Sequence, residues 1–158
     1  MTAVLPQPYA VARATTDADL ADLARMRVHW STGEPGEPDA TFVADFARWW
    51  GTEAGRRVAW VARRHTGKAA GMANAAIFER MPRPAAPPAR WAYVANVWVE
   101  PADRRRGVGG LLMDAVVMWA READMERIVL NPSEISLPLY RRAGFRPADD
   151  LRRLDLRA

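Results

Sequence analysis

The chain has 158 residues, 49% of them hydrophobic and 27% charged, so one domain around a single core accounts for it and two independent domains would be cramped. Cysteine is absent, which excludes disulfides, thiolate metal sites and thiol nucleophiles, and no metal is expected. The net charge is +4 and the pI near 10.3, yet the basic residues are scattered as arginine pairs among acids, with neither a concentrated stripe nor a reading module, so no nucleic acid partner is expected.

The first residues, MTAVLPQPYA, show no basic segment followed by an apolar one, and no window approaches the roughly 18 consecutive apolar residues of a membrane span. A cytoplasmic protein without a membrane partner is the expectation. From Tyr9, YAVARAT alternates apolar and polar residues and predicts a strand, with Thr15 or Thr16 as the N-cap of a helix over Asp17 to Trp30. STGEPGEPD is a loop. Phe42, Val43, Phe46, Trp49 and Trp50 then set a helical period over Ala40 to Trp50. RVAWVARR, the turn HTGK and AAGMANAAIF predict a hairpin. MPRPAAPPAR, with its run of prolines, predicts an exposed loop. WAYVANVWV is the most strand-like run in the chain. A helix over Gly107 to Ala123, a short strand RIVL, a helix over Ser136 to Ala143 ending at Gly144, and a last strand LRRLDL complete the order. This order predicts an α/β sandwich with a mixed sheet, in which WAYVANVWV and RIVL are joined as a parallel crossover.

Between the long strand and its helix stands RRRGVGG, Arg104 to Gly110. A helix N-terminus presents unpaired amides and about half a positive charge, and Gly107, Gly109 and Gly110 keep side chains from blocking an anion there. Arginines add forked donors for phosphate oxygens. A P-loop is excluded, because Leu111 and Leu112 stand where Lys and Ser/Thr are needed, and so is a dinucleotide fingerprint, which needs a glycine at 112. Seven residues separate Val99 from Gly107, room for a longer ligand with a diphosphate in its middle. The plain alternative is an ordinary turn with solvated arginines.

VWVEPADRRRGVGGLLMDAVVMWA resembles the acyl-CoA-binding motif of the GNAT superfamily of N-acetyltransferases, with Arg104, Gly107 and Gly109 at motif positions. NPSEISLPLYRRAGF resembles the second signature of that family, through Tyr140, Gly144 and Phe145. The resemblance implies one domain over residues 1–158, with a mixed, mostly antiparallel sheet carrying a central splayed parallel strand pair flanked by helices. It implies acetyl-CoA as co-substrate, with the backbone of Val97, Trp98 and Val99 pairing with pantetheine and Arg105, Arg106, Gly107, Val108, Gly109 and Gly110 on the pyrophosphate. Ser133 falls where many members carry a cofactor-contacting Asn, and it serves equally as an N-cap for the last helix. Tyr140 matches the general acid, or else is a packing tyrosine.

The base is left open. Strict alternation puts Tyr93, Ala95, Val97 and Val99 on one side of the strand and Val94, Asn96, Trp98 and Glu100 on the other. The family's strand glutamate is replaced by Tyr93, and Glu100 reads as a solvated turn residue. Ordered water held by Asn96 is the expected route for the proton, unless Asn96 is only a satisfied structural amide. His29 fits a part-buried helix residue as well as a catalytic one. By the same resemblance, the acceptor site is shaped by the first two helices, their loop with Glu34, Glu37 and Asp39, and the proline-rich loop. Trp30 and Trp98 are the tryptophans expected to bear on it. The expected activity is acetyl transfer to a small amine or a peptide N-terminus, with a non-catalytic acyl-CoA-binding protein as the alternative and a homodimer as a possible assembly.

Overall fold

The computed structural model describes residues 8–157. Alternating, β-branched and small residues build five strands: β1 Tyr9–Arg13, β2 Arg57–Arg64, β3 Ala69–Glu79, β4 Arg90–Val99 and β5 Ile128–Leu130. They form one sheet in sequence order, antiparallel throughout except for the parallel pair β4–β5. Helices α1 (Asp17–Thr32) and α2 (Ala40–Glu53) follow β1; α3 (Val108–Glu122) links β4 to β5, and the short α4 (Leu137–Arg142) follows β5. The fold is therefore a mixed α/β sheet flanked by helices. Among the described residues no helix is long and apolar enough to cross a membrane.

Local chemistry explains the helix ends. Thr16 caps α1 in a capping box, its hydroxyl accepting from the Asp19 amide while the Asp19 carboxylate accepts from the Thr16 amide. Gly33 closes the helix in the left-handed region. Asp39 caps α2 by accepting from the Phe42 amide at 2.8 Å.

Two apolar layers cover the sheet. On one face Val108, Leu112, Met113 and Val116 of α3 pack with Trp60, Ala73, Ala75, Ala92 and Val94; on the other Leu23 and Met26 of α1 pack with Ala59, Val61 and Met72. The small residues of β3 let elements approach closely: a Cβ on Gly71 would lie 2.9 Å from the Trp98 carbonyl oxygen and 3.2 Å from Leu112.

Two expectations need correction. LRRLDL forms no strand, and Leu154 and Leu156 are more than four-fifths exposed, so β5 is the last strand of the sheet among the described residues. Alternation of polar and apolar residues permits a strand, but no neighbour takes up this one's hydrogen bonds. The side-chain grouping on β4 also differs. Ala92 and Val94 share one core with Val97 and Val99, while Trp98 packs in the opposite layer. A bulge is the cause: Asn74 pairs with Ala95 and Met72 with Trp98, so two residues, Asn96 and Val97, face the single Ala73.

Candidate active site

β5 reaches only as far as Leu130, which pairs with Val94. From residue 95 to 99, β4 therefore has one backbone edge without a strand, and this is where the two parallel strands part. The bulge sits at the mouth of the opening. Asn96 takes φ +52°, a conformation that asparagine tolerates better than most residues. Its Oδ1 accepts from Asn74 Nδ2 at 2.9 Å, Asn74 Oδ1 accepts from Arg57 at 2.9 Å, and Arg57 is paired with Glu53 at 3.0 Å. Asn96 is thus held from behind by three residues in a row. Asn74, Arg57 and Glu53 were not foreseen; only tertiary pairing brings them together.

The open edge runs on into the glycine-arginine loop. A 3-10 turn, Pro101–Asp103, leads to Gly107 at φ +85°, which starts α3. Arg105 is also left-handed, at φ +59°. Side chains are absent at 107, 109 and 110, and open space lies over Gly107 and Gly110, whereas a Cβ on Gly109 would press Leu139 at 3.2 Å. Arg105 and Arg106 form no ion pair among the described residues. Arg104 turns back, donating from Nε to the Val99 carbonyl at 3.0 Å with its guanidinium 4.6 Å over Trp98. Val108 is buried beneath the loop.

Asp103 anchors this loop from the inside. It is 2% exposed, and accepts from Tyr9 Oη at 2.8 Å and from Arg64 Nε at 2.8 Å, with a second bond from the same guanidinium. The Arg64 guanidinium holds its carboxyl below the usual range against the opposing effect of burial. Burial and the Asp103 carboxylate push the Tyr9 phenol up.

Tyr140, on α4, lies in the same core as Val94, Val97 and Leu130, the residues at the parting of β4 and β5, with its ring edge-on to Phe145. Burial pushes its phenol above the usual value, with the Ser136 hydroxyl acting in the opposite sense. It therefore carries its proton at neutral pH. Ser133 does not cap α4: its hydroxyl donates to Ser136 Oγ at 3.0 Å, and its carbonyl accepts from the Ser136 hydroxyl at 2.8 Å. The 3-10 turn Glu134–Ser136 intervenes and moves the helix start past reach.

On the other face of the sheet, Asn96 and Asn74 border a cavity of about 360 Å³ under α1 and α2. Trp49 and Trp50, which belong to the helical period of α2, line it. Trp30 instead stacks on Trp98 at 5.6 Å, away from the lining. Glu100 is no solvated residue: its carboxylate lies 2.6 Å from His29 Nδ1, and both side chains are largely buried. The Trp98 ring packs at a steep angle against His29, centroids 5.7 Å apart, and Trp98 Nε1 is buried without a partner. Of the loop acids, Asp39 is engaged as a helix cap, while Glu34 and Glu37 are exposed. No cluster of three or more His, Asp or Glu placed to hold a metal occurs among the described residues.

On this mixed α/β sheet an open strand edge beside a parallel partner leads into a glycine-opened helix N-terminus. Residues 23–145 match the acetyltransferase (GNAT) family, and the chain belongs to that family. A glucosamine 6-phosphate N-acetyltransferase of Trypanosoma brucei brucei is 34% identical over 64 residues, which make up 40% of this chain and 44% of that protein, so the match spans less than half of its length. Among solved structures, a protein of Clostridium acetobutylicum described as a predicted acetyltransferase, crystallised with acetyl-CoA, superposes with a TM-score of 0.72 at 23% identity, over 94% of this chain and 96% of that one. A glucosamine-6-phosphate N-acetyltransferase of Arabidopsis thaliana gives 0.71 at 13% identity, over 94% and 99%. At such identities these two likenesses speak for the fold.

Proposed function

We propose that the chain is an N-acetyltransferase that moves an acetyl group from acetyl-CoA to a primary amine, on a small molecule or a peptide N-terminus, by direct attack in a ternary complex. The observation that carries this reading is the continuity of two features. The strand-free edge of residues 95–99, where Arg104 takes only the Val99 carbonyl, offers strand-like hydrogen bonds to the amides of pantetheine, and it runs into the first amides of α3 at Gly107 to Gly110, flanked by Arg105 and Arg106, which suit a pyrophosphate.

Bound there, acetyl-CoA supplies the activated acyl group. The chain's residues hold and move protons. Asn96, fixed by Asn74, orders the water that takes the proton of the attacking amine. A nitrogen–carbon bond forms, the carbon–sulfur bond breaks, and the departing thiolate takes a proton from Tyr140, which burial keeps protonated. Arg104 braces Trp98 and the Val99 carbonyl, shaping the groove. Ser133 positions Ser136 beside Tyr140.

Calorimetry with acetyl-CoA tests the site. Gly110→Glu places a carboxylate among the α3 amides in open space, and affinity should fall about 100-fold or more with the fold intact; unchanged affinity rejects the site. Gly109 is a poorer choice, because any side chain there already meets Leu139. Tyr140→Phe should lower kcat by about 100-fold, the scale of losing a general acid, with acetyl-CoA affinity kept. Equal kcat would remove Tyr140 from the mechanism.

A further inference from the structure

The unexplained element is α2. Its aromatic residues, Phe42, Phe46, Trp49 and Trp50, all line the cavity described above, yet none of its residues is fully buried, and Trp49 is 38% exposed. A helix whose apolar stripe is left half open presents that stripe to something else. Leu23 of α1 and Met72 of β3 add to the apolar wall, and the lining also includes Asn74 and Asn96, the latter at the opening between β4 and β5. An occupant with its nitrogen at Asn96 therefore has its body among indoles, phenyl rings and a methionine.

The charges of the lining point the same way. They are one arginine and one carboxylate, Arg27 and Asp45; Asp45 is paired with Arg48 at 2.6 Å, and Arg27 stacks over Trp30. Arg57 lies behind Asn74, engaged with Glu53 and stacked at 5.1 Å on Trp49. A phosphorylated aminosugar needs several free cationic donors and partners for its hydroxyls, and a polyamine needs several carboxylates. The cavity offers neither set. An apolar amine meets complementary surface throughout, and its size suits a molecule of one or two rings.

Resting on the acetyltransferase reading, we infer that the acceptor is a primary amine carried on an aromatic or bulky apolar body, seated between α2 and β3 with its nitrogen at Asn96. The ring lies against Trp49 and Trp50. This separates the chain from the aminosugar phosphate that its trypanosomal relative is named for.

The test follows thiol release from acetyl-CoA with 2-phenylethylamine and tryptamine against glucosamine 6-phosphate and spermidine, and follows quenching of tryptophan fluorescence by 2-phenylethylamine with CoA present. Expected are a kcat/KM at least tenfold higher for the aryl amines, and saturable quenching. Trp50→Ala should raise KM for 2-phenylethylamine at least tenfold with acetyl-CoA affinity unchanged. Trp49→Ala, at a more exposed position, gives the same readout should Trp50→Ala fail to fold. The inference is overturned if either polar amine is the better acceptor, or if the aryl amines give neither turnover nor saturable quenching. Failure of acetyl-CoA itself to bind would instead overturn the acetyltransferase reading.

Discussion

Asp103 shows how one residue can govern a loop it does not line. Its carboxylate joins β1, through Tyr9, and β2, through Arg64, to the turn that delivers Arg104 to Gly110. A buried charge is tolerable only when fully paired, as this one is. Asp103→Asn keeps the shape and loses the charge, so stability should fall by about 2 kcal/mol at pH 7, the scale of a hydrogen bond to a charged group. Because the native carboxyl titrates below its usual range, its contribution is complete above the ordinary carboxylate pKa and fades as pH drops through the lowered native value. The gap in unfolding midpoint between the two proteins should narrow below about pH 4. A gap that widens in acid would contradict the pairing. Acetyl-CoA affinity should weaken as well, since the loop loses its anchor. Nothing in the sequence singled out Asp103, because its partners are 94 and 39 residues away. Gly107, by contrast, stands in a short motif whose local chemistry can be read directly, and Tyr140 in one singled out by its resemblance to a family signature.

At the scale of elements, the strands and helices around the site follow from the sequence to within a few residues, because RVAWVARR is a short apolar run bounded by arginines and the α3 segment carries a clear period of 3.6. The bulge on β4 does not. WAYVANVWV alternates well enough to suggest one uninterrupted strand, and only the register against β3 reveals the extra residue at Asn96. That residue decides which side chains of β4 face α3 and which face α1 and α2. The same register makes Gly71 critical. Any side chain there drives into the Trp98 backbone, which belongs to the edge read as the pantetheine platform. Gly71→Ala should cost about 1–3 kcal/mol, the range for overpacking, and should weaken acetyl-CoA binding at the same time. Denaturant unfolding paired with calorimetry separates the two effects. An alanine variant as stable as the parent would mean that β4 yields more freely than its packing indicates.

Across the whole molecule the two faces of the sheet are unequally finished. The α3 face is filled by fully buried side chains, whereas on the other face α2 contributes none. The α3 face is therefore the more tightly packed of the two, and the looseness of the other lies at α2. Residues 151–157 add little to either, with Leu154 and Leu156 facing solvent, so a chain ending at Asp150 should melt within about 2 °C of the parent. A larger loss would show that LRRLDL does pair with something in solution. Its alternation is a legible pattern that finds no partner strand in the structure, which is why sequence periodicity overstated the sheet at this end.

The strand edge from residue 95 to 99 has a second consequence, one of colloidal behaviour. Backbone donors and acceptors left open for a ligand are equally open to the strand of another molecule, and β5, at three residues, is too short to screen them. A saturating ligand on that edge would then act as a sheet-edge cap as well as a reactant. Light scattering on gentle heating should begin at a higher temperature with acetyl-CoA present than without it, beyond the shift expected from binding to the native state alone. The cellular level of the co-substrate would then set how much of this protein stays dispersed, as well as how fast it works.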